Sequence, residues 1–407
     1  MERKKILFVA EAVTMAHVGR LLALARELDA QRFAVHFACA DGYDFCFADT
    51  DFTRWRIDSI SSEQFLATLA AGKPVYRQAT LLRYVEDDLR VLNAVRPDVV
   101  VGDFRLSLSV SARLAKVPYV AVINAYWSPF VRQRYTVPTL PLTRFVPIAL
   151  ANPLFQLARP VAFASHAAPL NQVRTRFGLA PLGQDLRRVY TDADHTLYAD
   201  LPELFRPVGM PPSHSYLGPV LWSPPVAPPS WWHQLPEGKP IVYVTLGSSG
   251  QGRLLAPVLR ALAHLPITVV AATAGKVETG QAPANAHVAA YLPGEAAARR
   301  ARLVICNGGS PTSQQALAAG VPVLGIASNL DQYLNMNGLI AAGAGALLRA
   351  DRLNERALRD TVKHMLADQA MAGSASRIGA LFAHYHPDQR LLATMESLLA
   401  SPVHASQ

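Results

Sequence analysis

Apolar residues run along the chain in short blocks that alternate with stretches of helical period. The first block, Ile6-Leu7-Phe8-Val9-Ala10, reads as a buried strand. Leu21, Leu22, Ala25 and Leu28 follow at helical spacing with Arg20, Arg26 and Glu27 on the other side, which predicts a helix near 18–29. Blocks 33–40, 96–103 and 119–124 read as further strands, with helices near 79–95 and 106–116. From 241 the rhythm restarts, with strands at 241–247, 267–273, 287–293, 302–309, 321–327 and 346–350. Helices near 252–264, 311–319, 331–342, 354–367, 375–385 and 389–400 accompany them. Strands alternating with helices predict a parallel sheet covered on both faces.

Two stretches break the pattern. Residues 125–190 are rich in prolines and aromatics and read as an irregular, amphipathic helical insertion, followed by a weaker strand at 195–200. Residues 207–240 hold ten of the thirty prolines, the strongest linker signal in the chain. A length of 407 residues fits two domains. The expected boundaries are an N-terminal domain over 1–220, a Pro-rich linker over 221–240, a C-terminal domain over 241–385, and a helix and tail over 386–407 that return to the first domain. Ligands of open parallel sheets bind beyond the carboxyl ends of the strands, so a cleft between the halves is the expected site.

Composition changes the picture in one place. Charged residues make up 17% and hydrophobic ones 51%, which argues against disorder. The net charge of +9 is concentrated in residues 104–184, which contain no Asp or Glu and nine basic residues. A basic surface attracts anionic partners without identifying them. No nucleic-acid partner is expected. Cys39, Cys46 and Cys306 are too few for a disulfide framework and fit reduced, buried thiols of a cytoplasmic protein. No run of about 18 apolar residues predicts a spanning helix. The opening is basic and then apolar, but Glu11 interrupts it, so a first strand is expected rather than a cleaved signal.

The most informative stretch is CNGGSPTSQQALAAGVP, residues 306–322. A strand ends at Cys306, and Gly308 and Gly309 permit a tight turn with close backbone approach to a ligand. Ser310 suits an N-cap and Pro311 the first helical position, while Gly320 and Pro322 end the helix. A helix start with free N–H groups suits a phosphate. An ordinary strand–helix turn is the alternative.

The same stretch resembles the donor-binding signature of family-1, UDP-glycosyltransferase-like bacterial enzymes. It matches through Gly308, Gly309, Thr312, Gln315, Gly320-Val321-Pro322, Asp331-Gln332 and Asn335. The resemblance covers the second half, and the first half more weakly. It implies the GT-B fold, two Rossmann-like parallel-sheet domains facing across a cleft. It also implies that the backbone at Gly309 and Ser310, with Thr312, holds a diphosphate, that Gln315 faces the ribose, and that Asp331 and Gln332 bind hydroxyls of the donated sugar. Gly247 and Ser248 match the family's Gly-Ser turn, and Tyr291 falls where the family has its base-stacking aromatic loop. Asp331 as a helix cap and Tyr291 as a core residue are the structural alternatives. The chain departs from the family in having Asn307 where His usually precedes the Gly-Gly, and neutral Gln315 where Glu is frequent. Asn307 can donate a hydrogen bond to phosphate but carries no charge, and Gln315 leaves UDP and dTDP both open.

In the first half, TMAHVGRLLALA (14–25) resembles the family's Gly-His-x-x-Pro opening, whose His is the catalytic base. His17 matches; Ala16 and Arg20 replace the Gly and the Pro. Imidazole titrates near neutral pH and can accept a proton from an acceptor hydroxyl. Asp103, at the end of another strand, is the expected partner that orients it. No cluster has metal-ligand spacing, so neither metal nor cofactor is expected, the nucleotide sugar being a co-substrate. The expectation is an inverting, metal-independent hexosyltransferase moving sugar from a UDP- or dTDP-sugar to a hydroxyl of a hydrophobic, aromatic or lipid-like acceptor. It would be cytoplasmic, with peripheral contact at the inner membrane face left open. A catalytically weak nucleotide-sugar-binding or auxiliary protein and a nucleotide-sugar 2-epimerase are the alternatives.

Overall fold

The computed structural model describes residues 3–247, 251–275 and 282–400. The chain divides into two compact units, one comprising Met1–Arg132, Pro153–Val220 and Tyr385–Gln407, the other Gln133–Asn152 and Leu221–His384.

The first unit holds seven strands: β1 (Lys4–Ala10), β2 (Phe33–Cys39), β3 (Thr53–Arg56), β4 (Val99–Asp103), β5 (Tyr119–Ile123), β6 (His195–Tyr198) and β7 (His214–Tyr216). They form one parallel sheet in the order β3-β2-β1-β4-β5-β6-β7. Every residue of β4 and β5 is buried, because helices cover both faces and leave no side for alternating polar residues. The helices are α1 (Met15–Arg26), α2 (Ser62–Ala70), α3 (Gln78–Val95), α4 (Leu108–Leu114), α5 (Ile148–Arg176, in this unit from Pro153 on) and α6 (Leu186–Tyr190). Leu7, Val9, Val91, Val100, Leu108 and Ala112 lie in one core cluster. Gly102 permits this packing: a Cβ there would clash with Leu108 Cδ1.

A polar network lies inside this core. Arg105 is fully buried; its Nη1 donates to Glu11 at 2.9 Å and its Nε to Asp88 at 3.0 Å, while its guanidinium lies 3.8 Å from the centre of the Tyr84 ring. Burial pushes the Glu11 and Asp88 carboxyls up, against the pull of Arg105.

The second unit holds β8 (Ile241–Thr245), β9 (Thr268–Ala272), β10 (Ala286–Ala289), β11 (Leu303–Cys306), β12 (Val323–Ala327) and β13 (Gly345–Arg349). Their parallel order is β10-β9-β8-β11-β12-β13. The helices are α7 (Leu255–Leu262), α8 (Gly294–Arg300), α9 (Ser310–Ala318), α10 (Leu330–Ala341), α11 (Glu355–Ala367) and α12 (Gln369–Phe382). The last helix, α13 (Pro387–Ala400), belongs to the first unit, where Arg390 donates to Tyr216 O at 2.8 Å. Residues 133–152 group with the second unit because its side chains hold their backbone: Arg349 donates to Val137 O at 2.7 Å and Arg352 to Thr143 O at 2.8 Å.

Both sheets reverse their strand order once. The chain builds outward from β1 to β3 and returns to place β4 on the other side of β1; likewise β8 to β10, then β11. The carboxyl ends of β1 and β4, and of β8 and β11, are therefore the two switch points where open α/β sheets bind ligands.

Candidate active site

At the first switch point the register pairs Ala10 with Asp103, so the loop into α1 lies beside the end of β4. Glu11 N donates to Asp103 O at 3.0 Å and locks this juxtaposition. His17, in the first turn of α1, donates from Nδ1 to Asp103 Oδ1 at 2.8 Å. An ionised carboxylate only accepts, so this bond selects the Nδ1–H tautomer and leaves Nε2 with its lone pair. Among the described residues Nε2 has no hydrogen-bond partner, and the His17 side chain is 18% exposed. Burial raises the Asp103 carboxyl, but Arg20 and then His17 outweigh it and hold it below the usual carboxylate range.

The His17 ring stacks on Phe104, centroids 5.0 Å apart and planes 10° from parallel. Phe104 itself has φ +57°, an uncommon backbone for a non-glycine residue. Phe65, Tyr76 and Tyr190 surround it at 6.1, 6.3 and 5.3 Å, and Trp127 meets Tyr190 edge-on at 5.0 Å. An apolar, aromatic cluster thus adjoins the imidazole. Of the aromatics singled out in residues 125–180, Tyr126, Tyr135 and Phe163 are buried, Trp127, Phe130 and Phe155 are half-buried, and Phe145 is exposed. The basic stretch presents less charge to solvent than its composition implies. Arg105 is spent on Glu11 and Asp88, and Arg113 and Arg174 both pair with Asp192.

At the second switch point Gly247, with φ +64°, lies against Asn307: a Cβ on it would be 3.4 Å from Asn307 Nδ2. Ser248 lies outside the described residues. Asn307 is buried, and its Oδ1 accepts from Gly309 N at 3.0 Å, which ties the side chain back into the turn. Gly308 has φ +83° and packs so closely on α10 that a Cβ would meet Met336 Cγ at 2.9 Å. The helix begins one residue earlier than its sequence suggests. Gly309, not Ser310, is the N-cap of α9, and a glycine brings no side chain to cap the helix. Asn335 fixes the turn by donating to Gly308 O at 2.8 Å and Ser313 Oγ at 2.9 Å.

The Asp331-Gln332 pair opens α10. Asn329 is the helix cap, accepting from Gln332 N at 3.1 Å, so Asp331 is not needed in that role. Gln332 Oε1 accepts from Ser328 N at 2.8 Å, while its Nε2 is buried and, among the described residues, without a partner. A buried amide donor without a partner is costly. Tyr291 is 37% exposed rather than core, with its hydroxyl 2.9 Å from where a Cβ on Gly275 would stand. Thr312 is half-buried in the first turn of α9. Gln315 donates from Nε2 to Trp222 O and Ser223 Oγ, which anchors its amide to the Pro-rich segment. The structure therefore brings together Gly247, Asn307, Gly308, Gly309, Ser310 and Gln332, whereas Gln315 and Tyr291 contact other segments. Sequence reasoning missed Asn124 and Asp200. Their signal was a polar residue closing an apolar strand block, as in YVAVIN and HTLYAD. No group of three or more His, Cys, Asp or Glu placed to hold a metal occurs among the described residues.

Two parallel-sheet units, one with a hydrogen-bonded His–Asp pair and one with a Gly-rich strand–helix turn, are the architecture of a two-domain glycosyltransferase that uses a nucleotide-sugar donor. The chain belongs to the bacterial GT-B glycosyltransferase family that includes the PGL/p-HBAD biosynthesis enzymes. It is 53% identical to a PGL/p-HBAD biosynthesis glycosyltransferase of Mycobacterium tuberculosis over 380 residues, 93% of this chain and 89% of that one. A PGL/p-HBAD biosynthesis rhamnosyltransferase of Mycobacterium bovis is also 53% identical over 380 residues, 93% of this chain and 84% of that one. Residues 256–388 match the family model described as erythromycin biosynthesis protein CIII-like, C-terminal domain. Among solved structures, the spinosyn rhamnosyltransferase SpnG shares the fold, with a TM-score of 0.70 at 22% identity over 96% of this chain and 100% of that one.

Asp331→Ala is expected to weaken binding of the nucleotide sugar about 10–100-fold, the loss of one hydrogen bond to a charged group, and to spare the free nucleotide. Calorimetric titration with both ligands checks it; an equal loss for both would mean that Asp331 does not read the sugar.

Proposed function

We propose that this enzyme inverts the anomeric centre of a UDP- or dTDP-linked sugar as it transfers that sugar to a hydroxyl of a hydrophobic or aromatic acceptor. The observation that carries this reading is the 2.8 Å contact of His17 Nδ1 with Asp103 Oδ1, beside the aromatic cluster at Phe104. The acceptor hydroxyl gives its proton to His17 Nε2, its oxygen bonds to the anomeric carbon, and the bond to the diphosphate breaks on the opposite face. The diphosphate leaves with the bonding electrons toward the amides at the start of α9, and Asp103 stabilises the imidazolium. The donor is held by the second unit and the acceptor by the first.

The names of the relatives support a dTDP-linked deoxysugar and a lipid-like or aromatic acceptor: one is a rhamnosyltransferase, and SpnG has been solved with thymidine diphosphate and with spinosyn aglycone. A thermal-shift panel of UDP-, dTDP- and GDP-sugars tests the donor. A selective ligand at 100 times its Kd stabilises the native state by about 2.7 kcal/mol, and no response to any of them would sink the reading.

Peripheral contact of a cytoplasmic enzyme with an anionic membrane face belongs to the same proposal. No helix among the described residues is long and apolar enough to cross a membrane. However, Leu154, Leu157 and Val161, spaced along one face of α5, are 54%, 79% and 73% exposed within the stretch that has no acid. Co-sedimentation is expected to be stronger with anionic than with neutral vesicles, and to fall on charge reversal at Arg132 and Arg134. Equal binding to both vesicle types would contradict it.

A further inference from the structure

Transfer asks two opposed things of His17. The ring must be neutral beforehand, so that Nε2 offers a lone pair, and must then take up a charge. A buried carboxylate with only an imidazole beside it works against the first requirement. Removed from water it needs a counter-charge, and it draws a proton onto the ring to obtain one. Asp103 is such a carboxylate, 1% exposed.

Asp103 has a second partner here. Arg20 lies one turn along α1 from His17, at the position where the sequence resemblance has proline. Its guanidinium spans both carboxylate oxygens, Nε to Oδ2 at 2.7 Å and Nη2 to Oδ1 at 2.9 Å. Its Nη1 donates to Asn124 Oδ1 at 2.8 Å, beyond the end of β5. Asn124 is held in turn, with Nδ2 donating to Asp200 Oδ2 at 3.1 Å, the same oxygen that accepts from Ala125 N at 2.6 Å. The fork is thus fixed at both ends, on a side chain only 11% exposed. Among the described residues, the charged and titratable groups around the pair are Arg20 on α1, Asp103 at the end of β4, Tyr119 on β5, Tyr126 after β5, Asp200 after β6, and Tyr76 and Tyr190, which reach His17 only through Phe104. Arg20 is the cation among them and stays charged across the neutral range.

We propose that Arg20 is a positioning residue for transfer: as the permanent counter-ion of Asp103 it keeps His17 neutral at rest and fixes the carboxylate plane that aims the ring. The proposal rests on the reading of His17 as the base. It has a chemical consequence. With its charge already matched by Arg20, Asp103 favours the imidazolium less than a lone carboxylate would.

The test titrates His17 in full-length protein carrying 15N-labelled histidine, alongside the pH profile of kcat/KM, for wild type, Arg20→Met and Arg20→Lys. Without the guanidinium, the His17 midpoint is expected to rise by about 1–3 pH units, and the acid limb of kcat/KM to rise with it, so that activity lost at pH 7 returns in part at higher pH. Lysine keeps the charge but not the fork, so Arg20→Lys should hold the wild-type midpoint with a lower kcat. If the methionine variant does not fold, Arg20→Gln removes the charge while keeping a hydrogen-bond donor, and the same upward shift is expected. An unmoved ring titration in the neutral variant overturns the counter-ion role. A moved titration with an unmoved acid limb overturns the base reading beneath it.

Discussion

His17→Ala is expected to lower kcat by about 10²–10⁴-fold, the usual contribution of a general base, with affinity for the nucleotide sugar nearly unchanged. Steady-state transfer assays with calorimetry of donor binding measure both halves. The proposed donor residues, from Gly247 to Gln332, all lie in the second unit, whereas His17 sits at the β1/β4 switch point of the first. Wild-type turnover in the variant would remove His17 from the mechanism. Asp103→Asn is expected to be similarly severe, and more so than loss of orientation alone would imply. The substitution leaves the Arg20 cation, 11% exposed, without its carboxylate and next to the imidazolium that must form.

Arg105→Met is expected to destabilise the first unit by about 3–5 kcal/mol, the cost of breaking a buried ion pair from one side. Urea denaturation followed by tryptophan fluorescence measures it. Glu11 and Asp88 are 0% and 2% exposed, and both lose their cation in the variant. The pH dependence has a definite sign. Burial, the dominant influence, raises both folded-state carboxyls above their unfolded values. Their protonated forms are therefore the tolerated ones, and stability is lost as pH rises through the folded-state values. Removing Arg105 pushes them further up, so the deficit of the variant should be smallest below about pH 4 and grow toward neutrality. A deficit independent of pH would point to packing on Tyr84 rather than to charge.

The two sheets were largely legible because fully covered parallel strands are continuous apolar runs, as in VVVGD and YVAVI. What escaped lay at their margins. Edge strand β3, TRWR, has Trp55 as its single apolar residue and so shows no apolar run, and β7 is only three residues long. Helix α8, GEAAARR, is too short to show a period. Helix α5 carries Pro153, Pro160 and Pro169 inside it, each of which removes a backbone hydrogen bond, so its 29 residues read as irregular. The Gly-Gly turn and the His17–Asp103 pair were legible because a strand end and a helix start localise chemistry within a few residues. Arg20 was visible only as a substitution for proline. Its partners Asp103 and Asn124 lie 83 and 104 residues away, and only the parallel register of β1, β4 and β5 makes them neighbours. The buried Glu11–Arg105–Asp88 network was hidden for the same reason, with Glu11 and Arg105 94 residues apart.

Direct displacement at the anomeric carbon by a hydroxyl that His17 deprotonates is tested most directly by the configuration of the glycoside formed. The measurement is proton NMR of the product made from an anomerically pure UDP- or dTDP-sugar and an aromatic acceptor, followed from the first turnovers. A single displacement, with the diphosphate departing opposite the attacking oxygen, predicts a product of inverted configuration. A product that retains the donor configuration would contradict it.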